Sequence, residues 1–291
     1  MKTKIDCFPC VFKQALATLK LATDDREVQI QALKEIADFY SHKELDGTPA
    51  GFSQHAYRII AEVTGAADPF SAEKKKFNKL ALQMTEESYK TIVSSGDKLA
   101  TGAHLAVAGN IIDLGIGEGL DIHGTLKSAL ETPFVINDLE KLRKSLAEAK
   151  SLLYIGDNAG EIVFDRLFVE IINELFPEIN VKFSVKSTPI INDATWEDAD
   201  AVGFDKVCEI IETGTNDIGA PLEKVSAEFL EDFNSADVII AKGHGNFETL
   251  NEVVKENLFF ILKAKCEVVA EKLRVKVGDS VLKCSARFQR V

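Results

Sequence analysis

Positive charge is scarce in this chain: 34 Lys and Arg stand against 46 Asp and Glu, a formal net charge of -12 over 291 residues. A generic nucleic-acid binder needs clustered basic side chains, so that class is excluded. Long apolar runs are missing too, and nothing approaches the ~20 residues that cross a bilayer. The opening MKTKIDCFPC has no apolar h-region, so no signal peptide is expected. Five cysteines are too few and odd in number for a disulfide scaffold; with thiols reduced, the expected compartment is the cytosol. There is no internal repeat, no low-complexity stretch and no Gly-x-Ser-x-Gly elbow. Gly115-Ile116-Gly117-Glu118-Gly119 fails as a dinucleotide fingerprint, because Leu120 takes the third glycine's place and no strand precedes it. His42, His55, His104, His123 and His244 show no metal-like spacing. What remains is 46% hydrophobic and 27% charged residues, enough for a sizeable buried core.

Two rhythms divide the chain. Val11, Ala15, Leu16, Leu19 and Ala22 recur at helical spacing, as do Ile30, Leu33, Ile36, Ala37 and Tyr40. Further helices are expected over 53–63, 72–94 and 99–114. From residue 151 short apolar runs take over: 151–156, 181–185, 207–211, 238–241 and 258–262. Helical patterns lie between most of them, at 193–201, 222–233 and 247–256. Strand alternating with helix implies βαβ units and right-handed crossovers. The expected fold class is α/β: an N-terminal helical lobe over 1–130, and a three-layer α/β/α domain with a mostly parallel sheet over 131–291.

Ligands of open parallel sheets bind beyond the carboxyl ends of the strands. The first such loop is Asp157-Asn158-Ala159-Gly160-Glu161, a later one ends in Asp193, and a third is Lys242-Gly243-His244-Gly245-Asn246-Phe247-Glu248. Asp157, Asn158 and Asp193 offer hard oxygen donors, which suit Mg²⁺ or Mn²⁺ with positions left for a phosphate. Lys242 and the N–H groups after it would hold phosphate oxygens. Each acidic residue alone also reads as an ordinary helix N-cap, Asp193 before Ala194 included. Cys7-Phe8-Pro9-Cys10 is a solitary Cys-x-x-Cys; Cys266 or Cys284 could complete a thiolate set only if the C-terminus folds back. Lying far upstream of the acidic edge, Cys7 and Cys10 are expected to be remote from the phosphate chemistry.

These three loops, taken in order, resemble the damage-control phosphatase family. The likeness extends to Thr48-Pro49, Tyr57-Arg58-Ile59-Ile60, Gly65, Asp68-Pro69 and Ala108-Gly109-Asn110-Ile111-Ile112-Asp113. The Cys7/Cys10 pair with Cys284 is similar to its cysteine-bearing prokaryotic branch. The resemblance implies a divalent metal on Asp157, Asn158 and Asp193, and hydrolysis of phosphorylated metabolites. It assigns Asp157 and Lys242 to catalysis, with Asp157 or a metal-bound water as nucleophile. Asn246, Glu248, Asn110 and Asp113 would face substrate, and His244 stands where the family often has Gln.

The expected function is thus divalent-metal-dependent hydrolysis of small phosphorylated metabolites, sugar phosphates or damaged metabolite phosphates, with Mn²⁺ or Mg²⁺ as cofactor and Co²⁺ or Ni²⁺ as substitutes. The partner is the metabolite, with neither nucleic acid nor membrane involved. Two rivals stand beside it: an S-adenosylmethionine-dependent carboxyl methyltransferase, and a non-enzymatic metal or redox protein built on Cys7 and Cys10. The glycine-poor loop after residue 156 disfavours the first, and the second leaves the carboxylate edge unexplained.

Overall fold

The computed structural model describes residues 1–112 and 130–286, without the side chains of 108–112. Six helices come first: α1 (Cys7–Ala22), α2 (Arg26–His42), α3 (Pro49–Thr64), α4 (Ser71–Leu82), α5 (Thr85–Ser94) and α6 (Lys98–Ile112). Local signals set several of their ends. Asp25 accepts from the N–H groups of Glu27 and Val28 at the start of α2. α3 starts with Thr48 as cap and Pro49 in its first turn, and stops at Gly65, whose φ of 69° ends a helix at little cost.

The α/β part follows as β1 (Phe134–Asn137), α7 (Leu139–Glu148), β2 (Ser151–Ile155), α8 (Glu161–Leu175), β3 (Asn180–Val185), α9 (Trp196–Ala201) and β4 (Glu209–Glu212). It closes with α10 (Ala227–Ser235), β5 (Val238–Lys242), α11 (Gly243–Leu250), β6 (Leu258–Lys263), α12 (Glu267–Leu273) and β7 (Ser280–Cys284). The strands form one sheet in the order β1-β7-β6-β5-β2-β3-β4. Every pairing is parallel except β6 with β7. This is the α/β architecture expected from the alternating pattern.

Side chains alternate across the central strands and feed two cores. Leu152, Tyr154, Val181, Phe183 and Ile240 pack with α8, α6 and α7 on one face. Leu153, Ile155, Ile239, Ala241 and Phe260 pack with α1, α2, α3 and α11 on the other. The first six helices therefore contribute to both faces, α1 to α3 on one and α4 to α6 on the other. A fully buried Leu or Phe contributes about 1.5–3 kcal/mol, so these two layers carry most of the stability. Among the described residues no helix is long and apolar enough to cross a membrane.

The topology also creates the site. The chain winds from β2 outward through β3 and β4, then returns to place β5 on the other side of β2. Loops diverge at that switch point and leave a crevice beyond the strand ends. Because Ile155 is in register with both Ser184 and Ala241, the loops after β2, β3 and β5 leave at one level.

Candidate active site

Asp157 and Asn158 stand just past β2. The backbone there is sewn to the segment after β3: Ala194 N–H donates to the Asp157 carbonyl at 2.8 Å, and Ala159 N–H to that of Asn192 at 2.9 Å. Asn158 and Asp193 form an antiparallel bridge between these turns. The two acidic loops thus meet. Neither Asp157 nor Asp193 caps a helix. Gly160 occupies the N-cap of α8 and Thr195 that of α9, the latter in a capping box with Asp198.

Glycine permits this crowding. Gly243, at the start of α11, has φ 76°, and a Cβ there would lie 1.8 Å from Asp157 Oδ2. A Cβ on Gly156 would meet the Phe183 ring at 2.6 Å. From behind, Asn78 of α4 accepts the Gly160 N–H at 2.6 Å and donates to Asp198 at 3.2 Å. Asp198 also receives buried Lys74 at 3.0 Å.

Asn158 Nδ2 donates to Asp157 Oδ2 at 3.1 Å and to Glu161 Oε1 at 2.9 Å. With its nitrogen so engaged, the amide oxygen is the atom left to meet a cation. Burial pushes the Asp157 carboxyl well above the usual carboxylate range, and Glu161 and Asp193 push further; Lys265 and Lys242 pull back. A buried cluster of like charges of this kind is neutralised well by a cation. Among the described residues no three His, Cys, Asp or Glu side chains make a metal-holding group by themselves.

In front of these groups opens a cavity of about 460 Å³. Asp157, Asn158 and Asp193 line one side; Tyr57, Gln14, Cys7 and Cys10 line another; His244, Glu248 and Cys266 complete it. The cysteines are therefore not remote, contrary to the expectation from their place in the sequence. α1 and α3 pack on the sheet face that carries Asp157, and this brings residues from the start of the chain over the strand ends. Cys266, not Cys284, joins them: Cys284 belongs to the core of the opposite face and donates to the Glu256 carbonyl at 3.3 Å. All three cavity thiols are held above the ordinary value, chiefly by burial. Tyr57 donates to Gln14 at 2.8 Å, and burial raises its phenol.

Other expected residues are placed differently. Lys242 does not face the cavity. Its side chain shares a face with Ile240, and its ammonium pairs with Asp165 at 2.5 Å and donates to the Ala106 carbonyl at 2.8 Å. Tyr154 donates to the same Asp165 oxygen at 2.7 Å. Lys242 therefore reaches Asp157 only through its field. Asn246 is also turned inward, its Nδ2 donating to the carbonyls of Gly156 and Lys242 at 3.0 and 2.8 Å. Glu248 does line the cavity, and burial pushes its carboxyl up to about 7. His244 lines it too, its Nε2 lying 2.7 Å from the Lys265 amide nitrogen and 2.9 Å from the Lys263 carbonyl. Burial, helped by Lys265, brings its imidazole down to about 4, so it is neutral. Asn110 lies in α6 with its side chain outside the described residues, and Asp113 lies outside them altogether.

Sequence reading passed over Lys186, whose buried ammonium stands 3.6 Å from Asp193 Oδ2. Strand parity could have found it. Phe183 and Val185 enter one core, so Ser184 and Lys186 must face the other side, where Asp157 lies.

Residues 3–281 match the family described as the damage-control phosphatase ARMT1-like domain. A damage-control phosphatase of Pyrococcus horikoshii is 36% identical over 288 residues, covering 97% of each chain. One from Archaeoglobus fulgidus is 32% identical over 292 residues, 97% of this chain and 99% of that one. The crystal structure of a DUF89 family protein from Pyrococcus horikoshii superposes with a TM-score of 0.91 at 34% identity, covering 98% of this chain and 99% of that chain.

Proposed function

Because the chain belongs to the damage-control phosphatase ARMT1-like family, we propose that it is a divalent-metal-dependent phosphatase acting on small phosphorylated metabolites, such as sugar phosphates or damaged metabolite phosphates. The observation that carries the metal half of this reading is the meeting of Asp157, Asn158 and Asp193 at the sheet's switch point, beside an open cavity. Hard oxygen donors of this kind fit Mn²⁺ or Mg²⁺, and Co²⁺ or Ni²⁺ can take the same ligands. A metal held there would polarise the phosphoryl group and offset its charge.

The chain's own residues do the rest. Asp157 and Asp193 hold the cation, and Asn158 fixes the two carboxylates Asp157 and Glu161 relative to one another. Helix α1 and Tyr57 supply part of the cavity wall, beside which the buried carboxylates interact more strongly than they would in water. Without a cation the carboxylates repel a phosphate dianion, so metal and substrate are expected to bind cooperatively.

The test is phosphate release from a panel of esters with Mg²⁺, Mn²⁺, Co²⁺ and Ni²⁺, before and after chelation with EDTA. Activity should vanish with EDTA and return with metal. Asp157→Ala and Asp193→Ala should lose metal and nearly all turnover while staying folded. Full activity in EDTA, or Ala variants that keep activity and merely melt lower, would remove the metal site from the reading.

A further inference from the structure

Lys186 follows β3, and the register places Ser184 beside Ile155, so Lys186 faces the same side as Asp157 one strand away. Its ammonium donates to the carbonyls of Asp217, at 2.9 Å, and Gly219 in the loop before α10, and lies 3.6 Å from Asp193 Oδ2. The side chain is 5% exposed and that of Asp193 4%. Burying an ammonium is costly, and its two carbonyl acceptors offset only part of that cost, so the carboxylates it faces matter as well. Beyond the two carbonyls, the charge acts on the carboxylates it faces, Asp193 first and then Asp157.

The balance of charges shows how. Asp157 and Asp193 together carry two negative charges, which one divalent cation cancels. Glu161, hydrogen-bonded to Asn158, adds a third carboxylate. Lys242 is committed to Asp165 on the opposite face. Lys265 lines the cavity and acts on Asp157, whereas Lys186 is buried and stands against Asp193 itself, held there by its two carbonyl anchors.

We propose that Lys186 is a positioning residue that biases the site away from its metal and toward phosphate. It repels the cation held by Asp193, and it offsets the surplus carboxylate that would otherwise repel an anionic ligand. Both halves of this proposal rest on the reading above, the metal half on its cation site and the phosphate half on its phosphatase activity.

The experiment compares wild type, Lys186→Gln and Lys186→Arg. Mn²⁺ is titrated calorimetrically into each protein, inorganic phosphate into each Mn²⁺-loaded protein, and kcat and KM are measured on a phosphate ester. In Lys186→Gln, Mn²⁺ should bind several-fold tighter, inorganic phosphate roughly tenfold or more weaker, and KM should rise more than kcat falls. Lys186→Arg keeps the charge and should hold both binding constants within about threefold of wild type. A merely structural lysine gives another pattern, with Mn²⁺ and phosphate weakened together and the melting point lowered. That pattern, or unchanged phosphate binding in Lys186→Gln, overturns the proposal. Should Lys186→Gln not fold, the arginine variant decides, and lost phosphate binding in that folded protein overturns it. If wild type binds Mn²⁺ yet hydrolyses no ester, the phosphatase reading fails while the two titrations still judge Lys186.

Discussion

Gly243 approaches Asp157 so closely that a Cβ would lie 1.8 Å from its Oδ2, at a φ of 76° that side chains avoid. Gly243→Ala is therefore expected to cost about 1–3 kcal/mol for the backbone conformation. It should also push the carboxylate out of place, so that metal content falls beside the urea midpoint. Retained metal with a lower midpoint would show strain without displacement. Glu248 makes a prediction of a different kind. Burial raises its carboxyl from 4.5 to about 7, against the opposing Ala50 N–H. Between those pH values the folded protein keeps a proton that the unfolded chain has released. Stability should therefore fall as pH rises through this window and level off above it. Glu248→Gln removes the penalty, so its Tm should exceed that of wild type at pH 8 and match it at pH 4. An equal shift at both pH values would mean that the carboxyl is not held protonated by burial.

Strand β5 shows how an element can direct one residue to the site and its neighbour away from it. Gly243 touches Asp157, while Lys242 points to the other face and pairs with Asp165 beneath α6. Lys242→Met should leave Asp165 buried and uncompensated and cost about 3–5 kcal/mol. The double change Lys242→Met with Asp165→Leu should recover most of that, as read from chemical denaturation. A single variant that stays fully stable but loses turnover would return Lys242 to the chemistry. The local pattern of β5 already contained this outcome: Ile239 and Ala241 enter one core and Ile240 the other, and Lys242 follows Ile240. A strand-end position taken without the strand's parity sets Lys242 and Asp157 on one side. The apolar runs of β2, β3 and β6 were legible because both faces of these strands are buried. β1 and β7 were not: β1 has four residues with one fully buried, and β7 carries Lys283 within its apolar run. The helix expected over 72–94 is two, because α4 ends at Leu82 and α5 starts at Thr85 while the apolar spacing runs on across the turn. Asp157, Asn158 and Asp193 were legible because strand-end loops in a βα series converge. The cysteine wall left no local trace, since it depends on α1 and α12 meeting over the sheet.

The whole molecule thus builds one cavity from sequence extremes, with Cys7 and Cys10 on one wall and Cys266 on another. Cys10 is exposed, so N-ethylmaleimide should reach it and obstruct the cavity. Partial desolvation at the cavity wall and the neighbouring Cys7 raise its thiol even so, and the modification should accelerate as pH rises toward 9. Phosphate release should fall with labelling in wild type, and a Cys10→Ser protein should be protected. Equal loss in both would point to another thiol. The sheet adds a constraint on how such a chain comes into being. β1 lies at the edge beside β7 and parallel to it, while β7 joins β6 antiparallel. As the protein leaves the ribosome, β1 has no partner until nearly every other strand has been made. Contacts of such long sequence separation form late. A nascent chain stopped at the end of β6 holds both carboxylate loops but lacks Cys266 and the seat of β1. Catalytic competence should therefore arrive in a single step once β7 has been made, with no partially active fragment before it.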